Sequence, residues 1–471
     1  MKDISRRKFL GMMGAGVAAI TGSSLLSACK KKADETVSLD DYKNQLEPPT
    51  GKMTYRENNR THDKVSLLGY GMMRLPLIED EEKKDDNEQK DIVIDQEEVN
   101  RLVDYALAHG INYYDTSPVY CQGKSEGATG KALSRHKRSE YLVATKLSNF
   151  DPSTQSTEGS KEMYHTSMRE LQVDYIDYYL LHSVGKSVED FETRYINNGM
   201  LDFLVEERKA GRIRNLGWSF HGEKEVFDHV LALDSKYHWD FVQIQLNYLD
   251  WNYANEINDR NVDASYLLSE LEKHHIMAVI MEPLLGGRLA NVPQFVVKQM
   301  KKRRPEKSIA SWAFRYAGTP NSILTVLSGM TYMEHLKDNL LSYCPLEPCS
   351  DDERNFLEEK IAKDIYGMET IPCNDCKYCM PCPYGIDIPA IFIHYNKCKN
   401  EGTLPTNPDN ADYRKLRHNY LIGLDRSVPK LRQANHCVNC GVCEPECPQK
   451  IRIPREMRKI DEFVEKLKRD A

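Results

Sequence analysis

The sequence of 471 residues lacks the signatures of several large classes of protein. Its 64 Lys and Arg residues are outnumbered by 71 Asp and Glu, and the net charge of −7 gives no reason to expect a nucleic-acid partner, since such partners favour basic faces. Hydrophobic residues make up 40% of the chain and charged residues 29%, which excludes a polytopic membrane protein and a mainly disordered chain. No Gly-x-Gly-x-x-Gly motif follows the first predicted strand, and this disfavours a Rossmann domain. The length suggests about three domains.

The N-terminal residues have the pattern of a targeting segment. Residues 5–10 are Ser-Arg-Arg-Lys-Phe-Leu, and an uncharged run over residues 9–28 follows, an order typical of a signal peptide. The two arginines resemble a twin-arginine export signal, and the Leu-Ser-Ala-Cys box that ends at Cys29 resembles a lipoprotein cleavage site. We expect residues 1–29 to direct export to the periplasm or cell envelope, Cys29 to carry a lipid anchor, and residues 30–60 to form a polar tether. An ordinary signal or a short anchor is the alternative.

Short β-rich segments alternate with amphipathic helical segments over residues 61–365. One helix is indicated by apolar residues at helical spacing behind Asp95 and Glu98, which form a capping-box pair, and Gly110 is expected to end it. Strict alternation predicts a parallel sheet, and eight units over this length predict a (β/α)8 TIM barrel. The predicted strands are Val65–Gly69, Asn112–Asp115, Tyr141–Thr145, Ile176–Leu181, Ile213–Trp218, Phe241–Gln245, Ala278–Met281 and Ile323–Leu327.

Four chemically active side chains follow consecutive predicted strands, at the end of the barrel where such folds carry their chemistry. Asp115 and Tyr120 follow the second strand, Lys146 ends the third and His182 ends the fourth. A phenol has a pKa of about 10, but a nearby ammonium favours the phenolate and lowers that pKa. A carboxylate can hold the ammonium in place, and an imidazole can donate a hydrogen bond to a carbonyl. The set predicts proton transfer to a carbonyl oxygen as hydride arrives.

This constellation resembles the catalytic tetrad of the aldo/keto reductase family, which has a (β/α)8 barrel and uses a nicotinamide cofactor. The likeness covers about residues 60–345 and includes the five-residue step from Asp115 to Tyr120. It implies that Tyr120 is the general acid/base and that Lys146 modulates its pKa. It further implies that Asp115 is the partner of Lys146 and that His182 orients the substrate carbonyl.

The same resemblance implies a nicotinamide site, with NADP or NAD as the cofactor. Ser219 and Gln243 match the contacts to the nicotinamide amide, and Met281 stands where many members stack a tyrosine on the ring. The cations that hold the 2′-phosphate in many members are replaced by Gly329 and His335, so the charge-assisted phosphate contacts are missing. The implied cofactor-binding residues are Ser219, Gln243, Met281, Ser328, Gly329 and Asn339.

The 13 cysteines are unevenly distributed, because nine of them lie between Cys373 and Cys447. Residues 437–448 follow the pattern C-x2-C-x2-C-x3-C-P, the cluster-binding run of bacterial ferredoxins. Residues 373–383 form a similar run whose last spacing is one residue shorter. Both runs continue into a Cys-Pro-x-x-Ile-x-Ile-Pro frame, which makes them an internal repeat. We expect residues 366–471 to form a small, mainly helical, two-cluster ferredoxin-like domain.

The resemblance to two-cluster ferredoxins implies crossed ligation, in which the cysteine before Pro in each motif binds the other cluster. Two zinc sites and disulfides are the alternatives. Outside the motifs, Cys121, Cys344, Cys349 and Cys398 are predicted to be free thiols, mostly buried. The implied ligands are Cys373, Cys376, Cys379 and Cys447 for one 4Fe–4S cluster, and Cys437, Cys440, Cys443 and Cys382 for the other.

These patterns predict an exported iron–sulfur oxidoreductase that acts on an aldehyde, ketone or alcohol, with a nicotinamide cofactor and electron transfer through two clusters. The predicted partners are that small molecule, a redox protein, and the membrane through lipidated Cys29. A hydride moves two electrons at once whereas each cluster carries one, so coupling needs an intermediary or a radical-tolerant substrate. The first alternative is an electron-transfer protein whose barrel docks a partner without hydride chemistry. The second is a zinc-stabilised sugar-binding lipoprotein.

Overall fold

The computed structural model describes residues 47–78, 92–257, 261–368 and 370–470. The described residues all belong to one compact unit, which starts at Gln45. The predicted targeting segment and most of the predicted tether lie outside the described residues. Among the residues that are described, no helix is both long and apolar enough to cross a membrane.

Eight parallel strands close into a barrel, as the sequence predicts. Each strand pairs with the next one along the chain, and the eighth pairs with the first. The sixth strand has the predicted bounds, and most of the others differ by one to three residues at an end. The barrel strands are β1 Leu68–Gly71, β2 Tyr113–Asp115, β3 Leu142–Leu147, β4 Ile176–Val184, β5 Ile213–Phe220, β6 Phe241–Gln245, β7 Met277–Met281 and β8 Ile323–Ser328.

The first predicted strand, Val65–Gly69, is wrong in its extent. Its first half belongs to the strand Lys64–Ser66, which pairs antiparallel with Tyr55–Glu57, and only its second half enters the barrel as part of β1. The predicted tether is correspondingly too long. Arg56, which lies within the predicted tether, donates to the carbonyl oxygen of Ile323 at 2.7 Å. The guanidinium of Arg56 is therefore hydrogen-bonded to backbone carbonyls of the barrel and is not simply solvated. A second antiparallel pair consists of Leu77–Ile78 and Val93–Ile94.

Helices follow the barrel strands around its outside. The first begins as predicted, because the Asp95 side chain accepts the N–H of Glu98 at 3.0 Å, and Gly110 follows its end. The principal barrel helices are Gln96–Ala108, Ser125–Leu133, Thr157–Leu171, Met200–Lys209, Lys224–Ala232, Ala264–Lys273, Ile309–Gly318 and Met333–Tyr343. The additional helices are Val188–Phe191, Asp234–Tyr237, Asp250–Ile257, Gln294–Arg303, Asp351–Asn355 and Ala362–Tyr366, with π-helical turns at Glu192–Ile196 and Phe356–Ile361. Short 3-10 turns lie at Tyr120–Gly123, Arg138–Glu140, Pro152–Thr154, Leu285–Gly287, Lys430–Arg432 and Ala434–His436.

The barrel and the C-terminal residues have separate hydrophobic cores. Buried side chains such as Tyr113 and Phe241 fill the barrel interior, so it is a packed core and not a pore. The C-terminal core is built around Phe392, Met457 and Leu467, all fully buried. Helices carry this core, as the mainly helical prediction for these residues requires. They are Ile388–Asn400, Tyr413–Ser427 and Ile453–Arg469.

A carboxyl group buried in the barrel wall gives a testable pH dependence. Glu126 is 3% exposed, and burial raises its pKa to about 7 although the hydroxyls of Thr145 and Ser167 oppose the shift. The unfolded chain has the ordinary value of 4.5, so the contribution of this group is complete below that pH and is lost as pH rises through about 7. We expect the free energy of unfolding to fall by about 3 kcal/mol from this group between about pH 5 and 8.

The variant Glu126→Gln keeps an acceptor for the Thr145 hydroxyl, which lies 2.5 Å from Oε1, but carries no charge. Urea unfolding followed by tryptophan fluorescence is therefore expected to show a smaller loss of stability with pH in this variant. Glu158→Gln, at an exposed position, is the matched control and should follow the native pH dependence. Parallel curves for the native protein and Glu126→Gln would contradict the prediction.

Candidate active site

The four predicted catalytic side chains converge at the carboxyl ends of β2, β3 and β4. Lys146 Nζ donates to Asp115 Oδ1 at 2.6 Å and to the Thr116 carbonyl oxygen at 2.8 Å. The same Nζ lies 4.9 Å from the centroid of the Tyr120 ring. The rings of Tyr120 and His182 meet edge to face, with centroids 6.0 Å apart. The barrel topology thus brings an acid, a phenol, an amine and an imidazole to one pocket.

The ion pair of Asp115 and Lys146 is almost completely enclosed, with side chains 4% and 1% exposed. Burial raises the pKa of Asp115 and lowers the pKa of Lys146, and the attraction between the two groups opposes both shifts. A buried charge without its partner is costly, so each side chain holds the other in place. Oδ2 of Asp115 has no hydrogen-bond partner among the described residues.

The pKa of Tyr120 moves in the direction opposite to the one expected from its sequence neighbours. Burial raises it well above 10, and the negative potentials of Tyr378, Asp115 and Glu282 raise it further. The ammonium of Lys146 is held by Asp115 and faces the ring of Tyr120. A phenol that stays protonated at neutral pH suits the role of proton donor in carbonyl reduction.

His182 is held as a neutral imidazole. Burial lowers its pKa well below 6.5, and the cations Lys146 and Arg194 lower it further. The Ser148 hydroxyl lies 2.6 Å from Nδ1, and the Ser117 hydroxyl lies 2.9 Å from that of Ser148. When the Ser148 hydroxyl donates to Nδ1, the ring proton is on Nε2, and the imidazole can donate from there to a carbonyl oxygen.

Two residues that support His182, Arg194 and Phe150, were not predicted as site residues from the sequence. Arg194 is 3% exposed and donates from Nη2 to the His182 carbonyl oxygen at 2.8 Å. Its guanidinium lies 4.9 Å from the centroid of Phe150, whose ring lies 5.1 Å from that of His182. Arg194 stands in a charged segment that is typical of a solvated helix, so no pattern in the sequence indicated its burial.

The first cysteine motif lies on this end of the barrel. Arg74, which follows β1, donates to Asp375 Oδ2 at 3.0 Å and to the Asn374 carbonyl oxygen at 2.8 Å. Gly286, which follows β7, has a φ of +64°, and a Cβ at this position would lie 1.9 Å from the Asn374 carbonyl oxygen. Only glycine can occupy a position so close to another backbone. The motif and the barrel mouth are therefore packed together and not merely tethered.

Tyr378, in the first cysteine motif, influences the electrostatics of the catalytic pocket. It stands between Cys376 and Cys379 in the sequence. Burial raises its pKa, and Cys376, Glu282 and Asp115 raise it further. Burial also raises the pKa of Glu282 to about 7. The phenol of Tyr378 and the carboxyl of Glu282 therefore share the electrostatic environment of Tyr120, and neither was predicted from the sequence.

The amide-binding end of the implied dinucleotide site fits a nicotinamide. Gln243, near the carboxyl end of β6, is 2% exposed, and its Oε1 has no hydrogen-bond partner within the described parts of the chain. That oxygen is free to accept a carboxamide N–H. Ser219, near the end of β5, is held by the Ser183 N–H, which donates to its hydroxyl at 2.8 Å.

The remaining positions of the implied site do not fit a dinucleotide. Ser328 and Asn339 are buried and hydrogen-bonded to each other at 2.8 Å. Gly329 supplies no charge, and burial lowers the pKa of His335 below its ordinary value, so it is not a cation at neutral pH. Met281 is half-buried, beside the β7 loop that contacts the cysteine motif.

Four thiols line one cavity between the two motifs. Its remaining lining is largely apolar, with Ile388, Phe392 and Ile451 among the contacts. Cys447 is the only one of the four that comes from the second motif. Burial raises the pKa of Cys447, and backbone N–H groups of residues 449–451 oppose the shift. The four thiols belong to Cys373, Cys376, Cys379 and Cys447.

The other four motif cysteines form a second neighbourhood. Burial raises the pKa of Cys443 to about 11, and the thiols of Cys382, Cys437 and Cys440 raise it further. All twelve cysteines in the described residues are free thiols. Within the same residues, no three His, Cys, Asp or Glu side chains are arranged to hold a single metal ion. Of the eight motif thiols, three from the first motif and one from the second therefore line one cavity.

Comparison with known proteins identifies the barrel. The model of the Aldo/keto reductase family matches residues 68–362. The chain belongs to the aldo/keto reductase family. The match covers all eight barrel strands and the four converging side chains, and it ends before the first cysteine motif. The protein is therefore a member of a family of oxidoreductases.

Several characterised relatives of this aldo/keto reductase are similar over the barrel. L-galactose dehydrogenase of Arabidopsis thaliana is 25% identical over 338 residues, which cover 65% of this chain and 93% of that protein. The NADH-specific methylglyoxal reductase of Escherichia coli is 27% identical and covers 49% of this chain and 78% of its own length. The holo form of an aldo-keto reductase from Bacillus halodurans superposes with a TM-score of 0.51 at 23% identity, covering 65% of this chain and 96% of that one. This structural likeness shows the fold.

Proposed function

We propose that this aldo/keto reductase interconverts a small carbonyl compound and its alcohol at Tyr120 and exchanges electrons through two 4Fe–4S clusters. The observation that carries the proposal is the contact between the catalytic pocket and the first cysteine motif, made by Arg74 and Gly286. A redox domain with no link to the barrel chemistry has no need to pack on the catalytic end of the barrel.

The chemistry of the barrel follows from its side chains. His182 donates from Nε2 to the substrate oxygen and polarises the carbonyl. Tyr120, protonated at neutral pH, gives its proton to that oxygen as the C=O π bond is broken. The ammonium of Lys146, fixed by Asp115 at 2.6 Å, compensates the negative charge that develops on the phenol oxygen. In the direction of alcohol oxidation the same groups receive the proton.

The eight motif cysteines would hold the two clusters in the crossed arrangement implied by the sequence. The cavity supports this assignment, since it brings the Cys447 thiol of the second motif together with three thiols of the first. When bound, each cluster supplies or accepts one electron. A redox protein that carries single electrons is the corresponding partner. We do not assign to this chain the nicotinamide cofactor expected from the resemblance, because the dinucleotide-binding positions beyond Gln243 do not fit it.

We also propose that the chain is an exported lipoprotein anchored through Cys29. The support is the sequence of residues 5–29 alone. The twin-arginine route carries folded proteins, and this suits a protein that receives clusters in the cytoplasm. Membrane fractionation of the native protein and Cys29→Ser tests the anchor: loss of the variant from the membrane fraction is expected, and an unchanged distribution would contradict it.

The proposed function is tested on full-length protein purified without oxygen. We expect about eight irons and eight sulfides per chain. Reduced methyl viologen serves as the electron donor, and its oxidation is followed on addition of aldehydes, ketones and 1,2-dicarbonyl compounds. Turnover with at least one of these classes supports the oxidoreductase. Rapid exchange of electrons with proteins but no turnover of any carbonyl would favour the electron-transfer alternative. An absence of iron would overturn the cluster assignment.

A further inference from the structure

The first cysteine motif occupies the rim of the barrel across β7, β8 and β1. It contacts the loop after β7 at Gly286 and the segment after β1 at Arg74. The side-chain carbons of Arg74 also lie 3.4 to 3.5 Å from the position of a Cβ on Gly329, which follows β8. Asn374, at the centre of these contacts, is only 4% exposed.

A dinucleotide bound by the implied residues has to cross the same rim. Its amide would lie at Gln243 on β6, and its other end would lie at Asn339, beyond β8. Between those positions it passes Met281 at the end of β7 and Gly329 after β8. These are the strand ends that the motif and Arg74 cover. Arg74, a cation beside Gly329, has its guanidinium bound to Asp375 and to two backbone carbonyls.

We propose that the first cysteine motif takes the place of the nicotinamide dinucleotide in this chain, so that the cluster it holds exchanges electrons directly with the substrate beside Tyr120. The proposal rests on the proposed function, because it assumes that the barrel acts on a carbonyl or alcohol. Tyr378 stands in this motif, one residue before Cys379. The free oxygen of Gln243 becomes a contact for the substrate.

The electrons and protons of this exchange balance. Reduction breaks the C=O π bond, forms one C–H and one O–H bond, and consumes two electrons and two protons. The two electrons arrive one at a time, one by way of each cluster site. A reduced one-electron carrier protein then returns an electron to each cluster site. Tyr120 supplies the proton on oxygen, and water supplies the proton on carbon. Since the electrons arrive one at a time, a carbonyl conjugated with a second C=O group is the favoured substrate class.

The first test measures nucleotide binding and does not depend on turnover. Anaerobic full-length holoprotein is titrated with NADH and with NADPH by isothermal titration calorimetry. We expect no saturable binding of either nucleotide up to about 1 mM, the upper end of ordinary Michaelis constants. Saturable one-to-one binding of either nucleotide within that range overturns the proposal.

The second test measures how close the cluster site is to the substrate site. Butane-2,3-dione is added to chemically reduced, desalted protein while the electron paramagnetic resonance spectrum is recorded. We expect the signal of one cluster to shift on addition of the dione, before both signals decline as electrons pass to it. Arg74→Ala, which loosens the motif, should alter the response of that same cluster, whereas Arg101→Ala, a surface arginine paired with Glu98, should leave it unchanged. Equal spectra with and without the dione overturn the proposal.

The two tests separate this inference from the proposed function. If nicotinamide binds and supports carbonyl reduction, the proposed carbonyl chemistry stands and the replacement of the dinucleotide is wrong. If no carbonyl is turned over, no nucleotide binds, and the dione still changes the signal of one cluster, the placement of the motif stands and the proposed reaction is wrong.

Discussion

Replacing Tyr120 by phenylalanine is expected to lower the rate of carbonyl reduction by about 10²- to 10⁴-fold, the range typical of a lost general acid. The phenol is the group nearest to both His182 and Lys146 that carries a transferable proton at neutral pH. Phenylalanine preserves the ring and its edge-to-face contact, so the fold and the iron content should not change. The measurement is viologen-linked turnover at equal iron content.

The pH profile provides a further check on Tyr120. Burial raises the pKa of this phenol well above 10, so the native rate of reduction should show no loss of a protonated acid between about pH 6 and 9. Tyr332→Phe is the matched control, because this tyrosine is 60% exposed and is not one of the four tetrad side chains. Full turnover in Tyr120→Phe with both clusters reducible would contradict the catalytic role and favour the electron-transfer alternative.

Replacing Cys447 by alanine is expected to remove the cluster of the first motif, although this cysteine belongs to the second. Its thiol lines the cavity formed with Cys373, Cys376 and Cys379. A cubane that lacks one of its four thiolate ligands is not retained, so its four irons, about half of the total, should be lost. The measurement combines iron analysis with the electron paramagnetic resonance spectrum of the reduced protein.

The identity of the lost cluster decides between crossed and uncrossed ligation. Cys447→Ala and Cys376→Ala should leave the same residual spectrum, and Cys440→Ala should leave the complementary one. Cys398→Ala is the control, because this buried cysteine lies outside both motifs and contacts His394 and Thr403. If the residual spectrum of Cys447→Ala instead matches that of Cys440→Ala, each motif binds its own cluster and the crossed assignment is wrong.

The sequence by itself determined the barrel, because alternation of strand and helix patterns is a local property. Phe241–Gln245 and the helix behind Asp95 were predicted from residues within one element. The convergence of Asp115 and Tyr120 with Lys146 and His182 was also predictable from the sequence, since parallel strands of a barrel place their carboxyl ends on one rim. Strand ends were less well predicted. The residues before β1 pair with Tyr55–Glu57, and the sequence of one strand does not specify which strand it pairs with.

Only the tertiary structure decided how the cysteine motif meets the barrel. The contact between Arg74 and Asp375 joins residues 301 positions apart, and neither side chain belongs to a periodic pattern. The direction of the Tyr120 pKa was also inaccessible from sequence, because it depends on burial and on the charges of Tyr378 and Glu282, which come from distant segments. Spacing and periodicity specify elements and motifs. The packing of one element against another sets burial and electrostatic potential, and a single element's sequence does not specify it.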